Sequence, residues 1–208
     1  MMHVMERLTQ PAFEPITLAE MKRHSKAFAE VTEEDPDFLE LITAAREWVE
    51  DYTGRILVDQ KWRQTMLDDG APLVVVPPVV GANDLVLRRS PVLELLSVAS
   101  LDSVGVATEL SVSSFTVLEP TSKWPRLASV GGWSGNFRIE YRAGFADQQS
   151  SPVQGAEAVP KSFIRAMKLI AGHYYTHREP IIVGSISSEL ALTIKWLLFA
   201  QRAEKGFA

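Results

Sequence analysis

The sequence predicts an α+β fold, in which N- and C-terminal helices form a small bundle that carries an inserted antiparallel β-sheet or sandwich region. Apolar residues recur at helical spacing before residue 54 and after residue 160. Between them, short runs rich in Val, Thr, Leu and aromatic residues alternate with turn residues. Neither terminal pair of helices could bury its apolar stripe alone, so both ends are expected to pack together. The predicted parts are helical segments 1–54 and 160–208, a β insertion over 55–145 and a mobile loop over 146–159.

Two helices are predicted in the N-terminal part. Thr17 and Glu20 have the spacing of a capping box, and the helix they start is expected to run to about Phe28. Asp35 is expected to cap a longer second helix, with a proline as its first residue. Gly54 follows as its C-terminal cap. The apolar stripe of this second helix comprises Phe38, Leu41, Ile42, Ala45, Trp48, Val49 and Tyr52.

The β insertion contains eight candidate strands at intervals of roughly ten residues, a spacing typical of small antiparallel sheets and sandwiches. They are Lys61–Leu67, Leu73–Val76, Leu85–Arg88, Leu95–Leu101, Val106–Leu110, Phe115–Leu118, Arg126–Ser129 and Phe137–Tyr141. The glycine-rich segment 131–135 leads into a strand and lacks the Gly-Lys-Ser/Thr ending of a phosphate loop, so it is interpreted as a hairpin turn. We expect the first dozen residues and Ala146–Val159 to be mobile.

Two further helices are predicted at the C-terminal end. The first begins at Pro160 and ends before Glu179-Pro180. The second runs from about Ser188 to Glu204. Trp196 and Phe199 fall outside its main apolar stripe, which leaves two interpretations open. They belong either to an exposed interface anchor or to a helix that is buried on two sides.

Neither the composition nor the motifs of the chain indicate an enzyme. The 208 residues include no cysteine, which excludes disulfides, thiolate metal sites and a cysteine nucleophile. His173 and His177 are four residues apart and could face zinc together, but no third ligand follows on the helix. We therefore predict no catalytic residue, no cofactor and no metal. No apolar run is long enough for a signal peptide or a membrane span, so no membrane association is expected.

Charge is distributed unevenly along the chain. The formal net charge is −5, which argues against general nucleic-acid binding. Residues 30–51 contain nine acidic residues and one basic residue, a net charge of −8. Residues 160–208 contain seven basic and three acidic residues, a net charge of +4. These segments are either two solvated helix faces or two complementary surfaces that meet within one subunit or between neighbours.

The order of several motifs resembles that of a known family. These motifs are Pro15–Lys22, Leu41–Arg55, Gln60–Trp62, Ser90–Val92, Ile139–Phe145, and a Val159-Pro160 helix ending in His173–Glu179. Over about residues 15–202 the chain is similar to the head–tail connector (adaptor) proteins of long-tailed phages, prophages and gene transfer agents. It departs from them mainly in the β region, where Val79–Asp84 and Gly131–Gly135 look like longer loops.

The resemblance implies a structural, non-enzymatic role in the virion, at the junction of head and tail, after assembly in the host cytoplasm. Such proteins form a homo-oligomeric ring, usually twelve-fold in the virion, that docks below the portal protein and extends the DNA channel. Double-stranded DNA passes through without sequence-specific binding, and the ring presents a surface to stopper or tail-terminator proteins. In the family the C-terminal helix contacts the portal, which makes Trp196, Phe199 and Arg202 candidate portal contacts here.

The acidic segment suggests a second set of interface residues. A negative channel wall would repel DNA phosphates, so the acidic face is expected at the lumen or at the joint between subunits. Its candidates are Glu33, Glu34, Glu40, Glu47, Glu50 and Asp51. We expect the acidic segment partly to face the basic segment of a neighbouring subunit. The alternative is a monomeric binding module that uses the β insertion for a partner or ligand.

Overall fold

The computed structural model describes residues 2–67, 84–131, 133–145, 158–176 and 186–203, with the backbone alone over 186–191. Its helices are α1 (Leu18–His24), α2 (Asp35–Thr53), α3 (Lys161–Thr176) and α4 (Ile186–Phe199). Its strands are β1 (Met2–Arg7), β2 (Gln60–Leu67), β3 (Asp84–Val86), β4 (Val92–Leu101), β5 (Ala107–Leu110), β6 (Phe115–Leu118), β7 (Arg126–Ser129) and β8 (Asn136–Ala143). The fold is therefore of the mixed α+β class, as the sequence predicts.

Helix α1 begins with the predicted capping box. The Thr17 hydroxyl accepts a hydrogen bond from the Glu20 amide at 3.2 Å, and the Glu20 carboxylate accepts one from the Thr17 amide at 3.1 Å. The helix ends at His24, four residues before the expected Phe28. The reason lies just beyond it, because Lys26 has a φ of 57° and so cannot continue a right-handed helix.

Helix α2 follows the sequence pattern except at its first residue. Gly54 adopts the left-handed conformation, with a φ of 72°, and its amide donates to the Glu50 carbonyl at 2.8 Å. The expected N-cap, Asp35, instead lies inside the helix, and Glu34 takes the cap position without a side-chain hydrogen bond. The Asp35 carboxylate is instead ion-paired with the buried Lys22 ammonium, which joins α1 to α2.

Described residues of the four helices contribute to one hydrophobic core. Phe38 of α2 stacks on Tyr175 of α3 with 4.6 Å between ring centroids, and α4 contributes Ile194 and Leu198. Leu57 and Phe145, from segments flanking the sheet, also belong to this core. Its other buried members are Ile16, Met21, Ile42, Ala45, Val49, Phe163, Ala166, Met167, Ile170 and Ala171.

The strands form two antiparallel sheets that contribute to a second core. One sheet has the order β1-β2-β8-β4-β5 and the other β3-β7-β6. On the central strand of the larger sheet, Ile139 lies opposite Gln64 of β2 and Val98 of β4. Leu85 and Leu127 enter the same core from the smaller sheet. Other buried members of this core are Ile56, Trp62, Met66, Leu87, Val92, Phe137, Tyr141 and Ala143.

Two local predictions need correction, one in the N-terminal segment and one in the β region. Residues 2–7, expected to be mobile, form strand β1 and pair with β2 over their whole length, from Met2 opposite Leu67 to Arg7 opposite Trp62. The glycine-rich segment is not a hairpin between paired strands, because it leads from β7 in the smaller sheet to β8 in the larger one. The predicted strand Leu73–Val76 and most of the loop 146–159 lie outside the described residues.

Gly144 lies where two segments of backbone cross between the helical core and the larger sheet. A Cβ atom at this position would lie 2.5 Å from the carbonyl carbon and oxygen of Val58. Its φ of 146° is also one that other residues rarely adopt. The Gly144 amide donates to the Pro91 carbonyl at 2.9 Å. Glycine therefore allows the end of β8 to lie directly against the segment that precedes β2.

Candidate functional site

The described residues contain no metal-binding cluster. Across residues 2–67, 84–131, 133–145, 158–176 and 186–203, no group of three or more His, Cys, Asp or Glu side chains is placed to hold a metal ion. His177 and Glu179 lie outside these ranges. Within the same ranges, no helix has the length and apolar character that crossing a bilayer requires.

The structure places His173 beside a residue that the sequence did not suggest. His173 and His24 line a cavity of about 340 Å³ between the end of α1 and α3. The pKa of His24 is lowered, first by its partial burial and then by the positive charges of Arg165 and Lys168. Burial and nearby positive charge therefore both favour the neutral form of His24. The other lining residues are Ser25, Lys26, Leu169, Gly172 and Thr176.

A second cavity, of about 270 Å³, lies between α2 and the larger sheet. Its charged groups contact one another. Arg7 is paired with Glu47 at 3.2 Å, and the Arg89 guanidinium lies 4.5 Å from the centre of the Trp62 ring and 3.9 Å from Asp51. These pairings connect the helical part to the sheet.

Helix α4 exposes a large apolar surface. Trp196 is 70% exposed and Phe199 65% exposed, whereas Ile194 and Leu198 on the opposite side are buried in the helical core. Leu192 is also exposed and adds to the same surface one turn earlier, a contribution that the sequence analysis missed. Over residues 192–199 the helix is therefore buried on one side, and Trp196 and Phe199 lie on the exposed side.

The third portal candidate, Arg202, differs from the two aromatic residues. It is half-buried, and its guanidinium lies 5.1 Å from the centre of the Tyr52 ring. The following amide, of Ala203, donates to the Thr53 carbonyl at 2.8 Å. Arg202 therefore helps to attach the end of α4 to the end of α2 within the subunit.

The acidic candidates occupy different environments. Glu33 and Glu40 are exposed, and the side chain of Asp51 is 80% exposed. Glu34 is half-buried and accepts a hydrogen bond from the Tyr175 hydroxyl at 2.9 Å. Glu47 is partly exposed and pairs with an arginine of β1. These five carboxylates therefore lie at or near the surface of the subunit.

Glu50 is the exception, and its expected place on the acidic surface needs correction. It is only 4% exposed, since it lies on the side of α2 that faces the sheet. Its carboxylate accepts hydrogen bonds from Arg46 at 2.8 Å, from the Leu57 amide at 2.9 Å and from the Gln60 amide group at 3.0 Å. Burial raises the pKa of Glu50, while Arg46 and the other donors act against that rise. Glu50 is thus unavailable to a neighbouring molecule.

The outer face of the larger sheet carries ion pairs that the sequence analysis did not identify. Arg63 contacts both Glu6 and Glu140, at 2.9 and 2.8 Å. Arg142 contacts Asp59 and, at 3.1 Å, Glu94. A signal was present, because β8 carries alternating charges, Arg-x-Glu-x-Arg, on one face. These charges are paired within the sheet and therefore offer little to a partner.

Comparisons with known proteins show similarity in fold. No protein-family model matches the chain, and no curated protein matches it. One solved structure, the neck of an empty gene transfer agent (GTA) particle computed with C6 symmetry, contains a chain of 20% identity with a TM-score of 0.71. The alignment covers 99% of this chain and 98% of that one.

Two related structures give the same result. A chain in the virion of a native GTA particle is 19% identical, with a TM-score of 0.71 over 98% of this chain and 97% of that one. A chain in the neck of a native GTA particle computed with C12 symmetry is 19% identical, with a TM-score of 0.69 over 99% of this chain and 98% of that one. This chain therefore shares their fold over nearly its whole length.

Proposed function

We propose that the chain is a structural neck protein of a phage-like particle, a head–tail connector that assembles as a ring below the portal. One observation carries the proposal: the fold agrees over 99% of this chain and 98% of a chain from the neck of a GTA particle. Neck structures of this kind were computed with C6 and C12 symmetry, which supports a homo-oligomeric ring. In this role the protein is not an enzyme and acts by assembly.

The exposed surface of α4 is the proposed portal contact. Trp196 and Phe199 present two aromatic rings, 6.4 Å apart, that the described part of the subunit leaves largely exposed. Aromatic side chains of this kind contribute strongly to protein interfaces when a partner buries them. Arg202 lies at the end of this surface and, in the proposal, holds α4 in position for docking. The opposite end of the ring would then bind stopper or tail-terminator proteins.

The test uses the full chain and the portal protein of the same particle. Sedimentation velocity and electron microscopy should show a ring, or a complex that forms only with the portal. A Trp196→Ser/Phe199→Ser variant should fold normally and lose portal binding, whereas Glu94→Lys/Glu109→Lys, on the sheet, should retain it. A chain that stays monomeric and does not bind the portal protein would contradict the proposal and favour the monomeric binding module.

A further inference from the structure

Helix α2 exposes a row of carboxylates on the side that faces away from the core. We call Asp37, Glu40, Glu47 and Asp51 the acidic stripe. Their separations of three, seven and four residues place them on one side of an α-helix. The buried residues Phe38, Ile42, Ala45 and Val49 occupy the opposite side. Asp37 and Glu40 are exposed and form no ion pair with the described residues, whereas Glu47 is paired with Arg7 at 3.2 Å and Asp51 lies 3.9 Å from Arg89.

Helix α3 exposes a row of cations in the same way. We call Lys161, Arg165 and Lys168 the basic stripe. Their separations of four and three residues place them on one side of the helix, opposite the buried residues Phe163 and Met167. Lys161 and Arg165 are exposed, while Lys168 lies 3.6 Å from Glu20 of α1. Burial and then the charges of Arg165 and Lys168 lower the pKa of His24, so both cations lie near its ring.

The two stripes do not neutralise each other within one subunit. Helices α2 and α3 pack together through their buried faces, so their outward faces lie on opposite sides of the helical layer. Among the described residues, no ion pair joins one stripe to the other. Asp37 and Glu40, which form no ion pair with the described residues, are three residues apart, and the exposed Lys161 and Arg165 are four residues apart, which corresponds to about 4.5 and 6 Å along the two helix axes. Two copies of the chain can therefore place opposite charges at matching positions.

We infer that the acidic stripe of one copy binds the basic stripe of the next, and that this contact joins neighbouring subunits. Two different surfaces on opposite sides of a subunit make a heterologous, head-to-tail contact, the type that closes into a ring. The inference rests on the proposed ring and deepens it, because it assigns the two surfaces that meet. The partner is expected to be a second copy of the chain, because the chain itself carries the complementary row of charges.

The charges would determine which surfaces meet and in which register. Exposed ion pairs contribute little free energy individually, but complementary rows speed association and disfavour incorrect pairings. Screening by salt acts over about 8–10 Å at ionic strengths of 0.10–0.15 M, so assembly through the stripes should weaken as salt increases.

A reciprocal charge exchange tests the contact. Variant A carries Asp37→Lys/Glu40→Lys, and variant B carries Lys161→Glu/Arg165→Glu. Each variant alone would bring like charges together at every joint, so both should remain monomeric under conditions where the wild-type chain assembles. An equimolar mixture should assemble again, because alternating A and B subunits restore opposite charges at every joint. Sedimentation velocity measures all four samples.

Matched controls separate this contact from a general effect of charge. Glu94→Lys/Glu109→Lys changes the net charge as variant A does, and Lys61→Glu/Arg88→Glu changes it as variant B does, at exposed positions on the β region. Both controls should assemble as the wild type does. The inference is overturned if variants A and B also assemble normally, or if their mixture fails to recover assembly.

A cross-linking experiment gives a result even if the isolated wild-type chain forms no stable ring. The protein has no cysteine, so Glu40→Cys and Arg165→Cys each introduce a unique thiol. After the two variants are mixed with a short bismaleimide, mass spectrometry should find the 40–165 linkage in excess of random pairing. Random pairing would overturn the stripe contact. Failure to bind the portal would instead overturn the proposed function, whatever the cross-links show.

Discussion

At the scale of single residues, Glu50 connects the helical part of the chain to the β part. It belongs to α2, but its carboxylate accepts hydrogen bonds from Leu57, shortly before β2, and from Gln60, the first residue of β2. Arg46 bridges Glu50 to Glu14, which accepts from the Arg46 Nε atom at 2.9 Å. A buried charge is costly unless its hydrogen-bonding capacity is satisfied, and here three donors, on Arg46, Leu57 and Gln60, satisfy it.

Removing this carboxylate should destabilise the protein markedly. Glu50→Ala leaves the Leu57 amide, the Gln60 side chain and part of Arg46 without their acceptor, so we expect a loss of about 3 kcal/mol in the free energy of unfolding. Urea denaturation followed by circular dichroism measures the change. Glu47→Ala is the matched control, because it removes a neighbouring but partly exposed ion pair and should cost under about 1 kcal/mol. Equal costs for both substitutions would contradict this account of Glu50.

At the scale of elements, sequence patterns predict most helices and strands because periodicity reflects burial directly. The capping pattern from Thr17 to Glu20 locates the start of α1 to within a residue, and Gly54, as C-cap, locates the end of α2 equally well. Strand β1 is not predicted by such patterns, because His3, Glu6 and Arg7 give it a polar character. Its pairing also depends on residues 62–67, which are distant in sequence. The end of α1 is missed because a left-handed residue such as Lys26 leaves no sequence signal.

The candidate surfaces are predictable only in part for the same reason. Helical spacing places Trp196 and Phe199 outside the main apolar stripe, and the structure shows both exposed. Net charge locates an acidic segment, but it does not distinguish Glu40 on the outer face from Glu50 on the buried face. That distinction depends on Gln60 and Leu57, which reach Glu50 from another element.

Helix α4 should therefore respond differently to substitutions on its two faces. Leu198 is fully buried, so Leu198→Ala should lower the free energy of unfolding by about 2–4 kcal/mol. The adjacent Phe199 is 65% exposed, so Phe199→Ser should change it by less than about 0.5 kcal/mol. Urea denaturation of the two variants measures the contrast. A large loss with Phe199→Ser would show that another part of the chain covers this face.

At the scale of the whole molecule, exposed charges of opposite sign lie on different helices. The acidic stripe and basic stripe lie on opposite sides of the helical layer, while the charges on the outer sheet face are paired with each other. In the proposed ring the stripes would neutralise each other at the joints. The surface that remains would still reflect an overall charge of −5 per subunit.

A protein with this charge distribution should let DNA pass without retaining it. Binding of duplex DNA requires cations that displace counterions from phosphates, and non-specific binding proteins reach dissociation constants of about 10⁻⁴–10⁻⁶ M at physiological salt. The wild-type chain should bind more weakly than this range, because its net charge of −5 opposes the approach of phosphates. Fluorescence anisotropy of a labelled duplex at low and physiological salt measures the affinity, with a lysine-rich peptide as the positive control. Tight binding that weakens steeply with salt would show that the basic stripe holds DNA rather than a neighbouring subunit.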